Sequence, residues 1–167
     1  MRIKTIILSL VLISFLVTGG YAMIQTITLE ELTTEAEIIG IATLKISNKM
    51  PIDKDGVVKI QSTIVFSEVL KGEVKSGDEV VIETSEGFED MPLLEPRNRF
   101  IVFLNKAPNG NVYLTTNLIQ GYWPLDKDGK PLGMGLGTTK AQLEEAIKKT
   151  KDQKPSQKTP GSDAPIF

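Results

Sequence analysis

The stretch Val57–Leu70, "VVKIQSTIVFSEVL", decides the fold class. Apolar side chains recur at Val58, Ile60, Ile64 and Phe66, with Ser62 in the same phase. A period of two places one face of an extended strand against a core. The phase then slips, because Val69 and Leu70 are adjacent, and one extra residue near Ser67-Glu68 restores it as a β-bulge. Upstream, "EIIGIATLKIS" (Glu37–Ser47) alternates through Ile38, Gly40, Ala42, Leu44 and Ile46. Glycine inside such a run marks a bulge or a sharp coil.

Downstream the strand signals continue. "DEVVIET" puts Val80 and Ile82 on one face. "FIVFL", Phe100–Leu104, is apolar on both faces and reads as the most buried strand. "NVYLTTNLI" alternates through Val112, Leu114 and Leu118, and "GYWPL" forms a short sixth strand. The connections carry turn residues: Lys71-Gly72, Ser76-Gly77-Asp78, Pro108-Asn109-Gly110 and two copies of Asp-Lys-Asp-Gly. Short strands at this spacing predict a mainly β fold, an OB-like antiparallel β-barrel of five to six strands with short N-terminal and C-terminal helices. Thr28 with Glu31 opens a helix over 29–36 as a capping box, and Thr139 with Gln142 opens a second. Ala141, Leu143, Ala146 and Ile147 give the second helix its apolar side. "GMGLG" before it reads as a flexible connector. Its Gly133 and Gly135 fit the start of a dinucleotide fingerprint, but Thr138 stands where the third glycine is required.

The ends of the chain differ in character. Arg2 and Lys4 precede an apolar run from Ile6 to Val17, and Gly20 and Ala22 supply small residues. This predicts a signal peptide over 1–22 and a secreted or envelope-associated protein; an uncleaved N-terminal anchor is the competing reading. The domain is expected over 23–151 and a disordered, Lys-, Pro- and Ser-rich tail over 152–167. The chain holds 19 Lys and Arg against 21 Asp and Glu. Removing Arg2 and Lys4 leaves 17 against 21, a net −4. That balance carries no footprint for nucleic acid. Contact with membrane is expected only through an uncleaved leader.

Chemistry is scarce. There is no Cys and no His, which excludes disulfides, thiolate zinc sites, thiol catalysis and Ser-His-Asp triads. No cofactor is expected. Each Asp-Lys-Asp-Gly copy, Asp53–Gly56 and Asp126–Gly129, has the first carboxylates of a calcium loop. Neither has the Glu six residues after the Gly: Ser62 and Gly135 stand there. Asp-Gly between strand residues predicts instead a hairpin turn of type I′, with both central residues at positive φ. Glu83, Glu86, Glu89, Asp90 and Glu95 cluster in or near one loop, and a carboxylate-dependent hydrolase remains an alternative. That loop, "GFEDMPLLEPRNR" (Gly87–Arg99), is long for a small barrel. Its Phe88, Met91, Leu93 and Leu94 either plug one end of the barrel or form an exposed recognition patch beside Arg97. Tyr122 and Trp123 are the other binding candidates, with burial in the core as their commoner fate.

The segments Leu29–Gly40, "EVLKG" (Glu68–Gly72), "GDEVVIET" (Gly77–Thr84), "RFIVFL" (Arg99–Leu104) and "QGYWPLDKDG" (Gln120–Gly129) together resemble a group of uncharacterised small exported prokaryotic β-domains. The resemblance spans roughly 28–149. Such domains are similar in turn to the OB-like barrel of tissue inhibitors of metalloproteinases and netrin modules. Those inhibitors act through an N-terminal cysteine and disulfides. With no Cys here, the resemblance implies fold and export and transfers no functional residue. The expected role is a non-enzymatic domain binding a protein, peptide or glycan at the cell envelope, with a structural envelope component as a further alternative.

Overall fold

The computed structural model describes residues 26–96 and 98–152. The expected leader 1–22, tail residues 153–167 and Arg97 lie outside the described residues. The chain order is α1 (Leu29–Glu35), β1 (Ile38–Lys49), β2 (Lys59–Lys71), β3 (Glu79–Ser85), β4 (Arg99–Lys106), β5 (Tyr113–Thr115), β6 (Tyr122–Pro124) and α2 (Lys140–Asp152). The second helix thus extends to Asp152, one residue into the expected tail. The sheet runs β1-β2-β3-β5-β4, and β4 returns to pair with β1, closing a five-stranded barrel. This is the expected OB-like barrel. β5 and β6 follow one another along β4: β5 pairs Leu104–Lys106 and β6 pairs Phe100–Val102.

Two apolar cores account for the unusual composition of β1 and β4. Inside the barrel, Ile38, Ala42, Ile64, Phe66, Ile82, Phe100, Val102, Leu104 and Tyr122 pack together. Outside it, Ile39, Ile41, Ile101, Phe103 and Trp123 pack under Leu32, Leu143 and Ile147 of the two helices. Both faces of β1 and β4 are therefore covered, so "FIVFL" is apolar throughout and all five residues are buried. Each such side chain contributes about 1.5–3 kcal/mol on burial. Aromatic pairs fasten β4 to β6 or its neighbours on both faces: Phe100 with Tyr122 at 5.2 Å inside, Phe103 with Trp123 at 4.7 Å outside. The Trp123 indole N–H donates to the Gln120 carbonyl at 2.8 Å, so its polar edge is satisfied in the core.

The bulges fall where the phase slips. Ile41 pairs with Glu68 and Ala42 with Phe66, leaving Ser67 unpaired; its hydroxyl donates to the Ile41 carbonyl at 3.1 Å. Gly40 lies at a second irregularity, between Ile39↔Lys71 and Gly40↔Val69. A Cβ there would meet the Glu68 carbonyl oxygen at 2.6 Å and the Phe66 ring at 2.7 Å, so only glycine permits this approach. A third bulge lies in β1, where Leu44↔Ile64 is followed by Ile46↔Thr63 and Lys45 is extra. It corrects the expected inward face: Ile46 changes phase and is 50% exposed.

Four further expectations are corrected. Both caps form as capping boxes, but Ala141 is exposed and α2 docks through Leu143, Ala146 and Ile147. β5 is three residues long, with Tyr113 packed against the inner core and Leu114 turned outward, the reverse of the expected phase. The strand stops because Asn117 and Leu118 take left-handed conformations, φ 50 and 56, leading into a 3-10 turn over Leu118–Gly121. The two Asp-Lys-Asp-Gly turns do reverse the chain, between β1 and β2 and after β6. They are not type I′, since within each copy only the glycine has positive φ, at 79. Asp53 accepts from the N–H of Asp55 and Val57, each at 2.9 Å, and Asp126 accepts from Asp128 and Lys130. These side-chain bonds hold a turn that needs positive φ at one position only. Finally, "GMGLG" is no flexible connector. Gly133–Gly135 forms a 3-10 turn, and Gly135 lies so close to Trp123 that a Cβ would meet its indole at 2.5 Å.

Ion pairs link β1, β2 and β3: Lys45–Glu79 at 2.6 Å, Lys59–Glu83 at 2.8 Å and, at the end of the sheet, Lys49–Glu86 at 2.5 Å. Glu83 also accepts from Gln61 at 3.1 Å. The hydrogen bond from Lys59 holds the Glu83 carboxyl below its ordinary range, against a partial desolvation that pushes it up.

Two outcomes follow from this packing. Gly40→Ala should lower the unfolding free energy by about 1–3 kcal/mol, the range for overpacking, in urea denaturation. For Glu83, whose folded pKa is lowered, the stabilisation is full above the unfolded value of about 4.3 and is lost as pH falls through the folded value. Glu83→Gln should therefore melt below the unsubstituted protein at pH 7, and the gap should close on titration to acid. A constant gap across the titration would contradict the assignment.

Candidate functional site

The direction of each strand decides which loops meet. β1 runs toward its Lys49 end, β2 returns from Lys59, and β3 runs back to Ser85, where Lys59 pairs with Ser85. The β1–β2 connection (50–58) and the β3–β4 loop (86–98) therefore emerge at one end of the barrel. They are joined there: the Glu86 N–H donates to the Val58 carbonyl at 2.8 Å, and Lys49 pairs with Glu86.

The β3–β4 loop is partly buried as a plug and partly exposed. It closes the barrel wall where β3 and β5 share only the Ile82↔Tyr113 bridge. The Asp90 carbonyl accepts from the Ile119 N–H at 2.9 Å, and Leu94 is 8% exposed within the inner core. Burial pushes the Tyr122 phenol above its ordinary range, a backbone hydrogen bond from Glu95 offsets part of this, and the Glu95 carboxylate adds to the rise. With the loop pinned at these points, Phe88 and Leu93 project outward, 56% and 71% exposed, while Met91 is half-buried and Pro92 buried.

The structure thus divides the sequence-predicted residues. Phe88 and Leu93 lie on the surface at this end of the barrel. Leu94, Tyr122 and Trp123 are core residues, because Leu94 and Tyr122 fill the barrel and Trp123 fills the space beneath the helices; of the two readings offered for each, burial holds, and none of the three presents a binding surface. Arg97 lies outside the described residues. Three residues not singled out by sequence join the exposed pair: Ile46, Met50 and Ile52, the last 68% exposed. For Met50 and Ile52 the signal is present in "KMPIDKDG", where they flank a proline immediately before a turn and no strand phase can bury them; Ile46 carries no such signal.

The carboxylates at this end do not converge. Glu83 and Glu86 are engaged by Lys59 and Lys49, Glu95 accepts from Asn98 at 2.8 Å, and Glu89 and Asp90 are exposed. A general acid needs a carboxyl raised by burial or by a like charge; Glu83 is shifted the other way. Among the described residues no group of three or more Asp and Glu is placed to hold a metal ion. Two clefts lie away from the loops' apolar residues. One of about 330 Å³ runs between the second Asp-Lys-Asp-Gly turn and the start of α2, lined by Pro131, Leu132, Leu136 and Thr138. The other, about 380 Å³, lies at the opposite end beside Glu37, Glu73, Lys106 and Tyr113. Comparison with known protein families and with curated proteins finds no match.

Proposed function

We propose that this is an exported, non-enzymatic binding domain that engages a protein or peptide of the cell envelope through the end of the barrel carrying the β1–β2 and β3–β4 loops. One observation carries the reading: Ile46, Met50, Ile52, Phe88 and Leu93, from three neighbouring segments, are all exposed at that end. Exposed apolar clusters of this kind mark interaction surfaces. The loop that bears Phe88 and Leu93 is anchored on the core, so the surface is largely formed before a partner arrives and loses little entropy on binding. A polypeptide fits it better than a glycan. Four of the surface's five residues are non-aromatic, whereas sugar rings stack on aromatic faces; Phe88 alone offers one there, and Tyr122 and Trp123 are buried. Export rests on the N-terminal leader pattern.

Phe88→Ser with Leu93→Ser should reduce capture of the partner from envelope extracts by about tenfold or more, since truncating a central interface residue costs about 2 kcal/mol. Thermal stability should stay within about 0.5 kcal/mol, as for other surface positions. Undiminished capture, or loss of the thermal transition, would overturn the reading.

A further inference from the structure

The β1–β4 pairing ends at Thr43↔Arg99. β1 continues for six more residues, Leu44–Lys49, paired to β2 on one side only. Beyond Thr43, no hydrogen bond from the described residues reaches its other edge, and Lys45–Lys49 are exposed. A row of unpaired backbone N–H and C=O groups is a template for another strand. The common device against such pairing is lysine on the edge. Here Lys45 and Lys49 are drawn across the sheet to Glu79 and Glu86. Among the described residues no strand other than β2 pairs with β1 beyond Thr43, and β4 begins at Arg99 after the β3–β4 loop. Exposed Leu93 and Glu95 lie on that departing loop.

Resting on the binding reading above, we infer that the partner joins this edge as an added strand: an extended peptide segment, antiparallel to Leu44–Lys49, with apolar residues alternating with basic ones. The backbone ladder selects an extended polypeptide, since only another strand presents donors and acceptors at the matching repeat. The apolar positions meet Ile46 and Leu93. The basic positions answer the charge of the rim, where Glu89, Asp90 and Glu95 are exposed and none is in an ion pair among the described residues. A second copy of this chain is disfavoured as occupant, because its own edge lysines, Lys45 and Lys49, are already paired with Glu79 and Glu86 and leave no basic position for the rim.

The test is an amide NMR titration of the protein with a short synthetic peptide alternating valine and lysine, at up to millimolar concentration. An analogue N-methylated at every second residue and an analogue with glutamate for lysine serve as comparisons. Strand addition predicts shifts and slowed hydrogen exchange at Leu44–Lys49, loss of binding on N-methylation, and weaker binding of the glutamate analogue. Shifts confined to Phe88 and Leu93, or binding indifferent to N-methylation, would overturn strand addition and leave the apolar surface standing. No response at either place would overturn both. Slowed exchange at Leu44–Lys49 that rises with protein concentration and needs no peptide would mean self-pairing and would also overturn it.

Discussion

The antiparallel seam between Ile38–Thr43 of β1 and Arg99–Leu104 of β4 is the contact on which the other parts rest. It closes the barrel, and it supplies one face to each of two cores. Gly40 pairs with Val102 and Ile41 with Ile101 across it, so residues of both strands point alternately into the barrel and toward the helices. Without the seam the inner cluster would open to solvent, and α1 and α2 would lose the surface they cover. Neither helix is long enough to stand alone, since isolated helices below about 12–15 residues are marginal in water. The requirement for apolar residues on both faces explains why these two strands are the most hydrophobic segments of the described chain.

The same seam sets where the molecule is open. It runs out at Thr43, while β1 continues as an edge arm, Leu44–Lys49, on β2, which itself ladders onto β3 through Lys59–Val65; the Lys45–Glu79, Lys59–Glu83 and Lys49–Glu86 pairs are added across the three strands. Exposed ion pairs of this kind each contribute little. The arm therefore depends mostly on its backbone ladder, with Ser62 the buried polar residue along it, bonded to Ser47 at 3.0 Å. Low apolar burial and an exposed ladder are the marks of a region that opens locally at low cost. Its free edge and the apolar loops beside it lie at the end of the barrel that the seam does not reach.

Much of this was legible in the sequence wherever a local rule governs. Period-two alternation located the strands, the slip after Phe66 located the Ser67 bulge, and Thr28 with Glu31 and Thr139 with Gln142 located the helix starts. What sequence pattern missed depends on contacts distant in the chain. Leu93 and Leu94 are adjacent and chemically alike; one is exposed and one buried because the loop is pinned at Asp90 and Glu95, and no periodicity records that. Gly135 reads as loop glycine until Trp123 is placed against it. The Lys45 bulge reverses the face of Ile46, and nothing in "TLKIS" marks it. The turn type of the Asp-Lys-Asp-Gly copies was missed for a local reason: the first Asp accepts two backbone N–H bonds, which stabilises a turn with the glycine alone at positive φ.

Native-state amide hydrogen exchange tests the role of the seam most directly. If the seam holds the fold together, the protected amides of Ile38–Thr43 and Phe100–Leu104 should exchange only through global unfolding, and those of the Leu44–Lys49 arm at distinctly lower free energy. Seam amides that exchange while the β2–β3 ladder stays protected would show that the barrel stands without this pairing and would contradict the account.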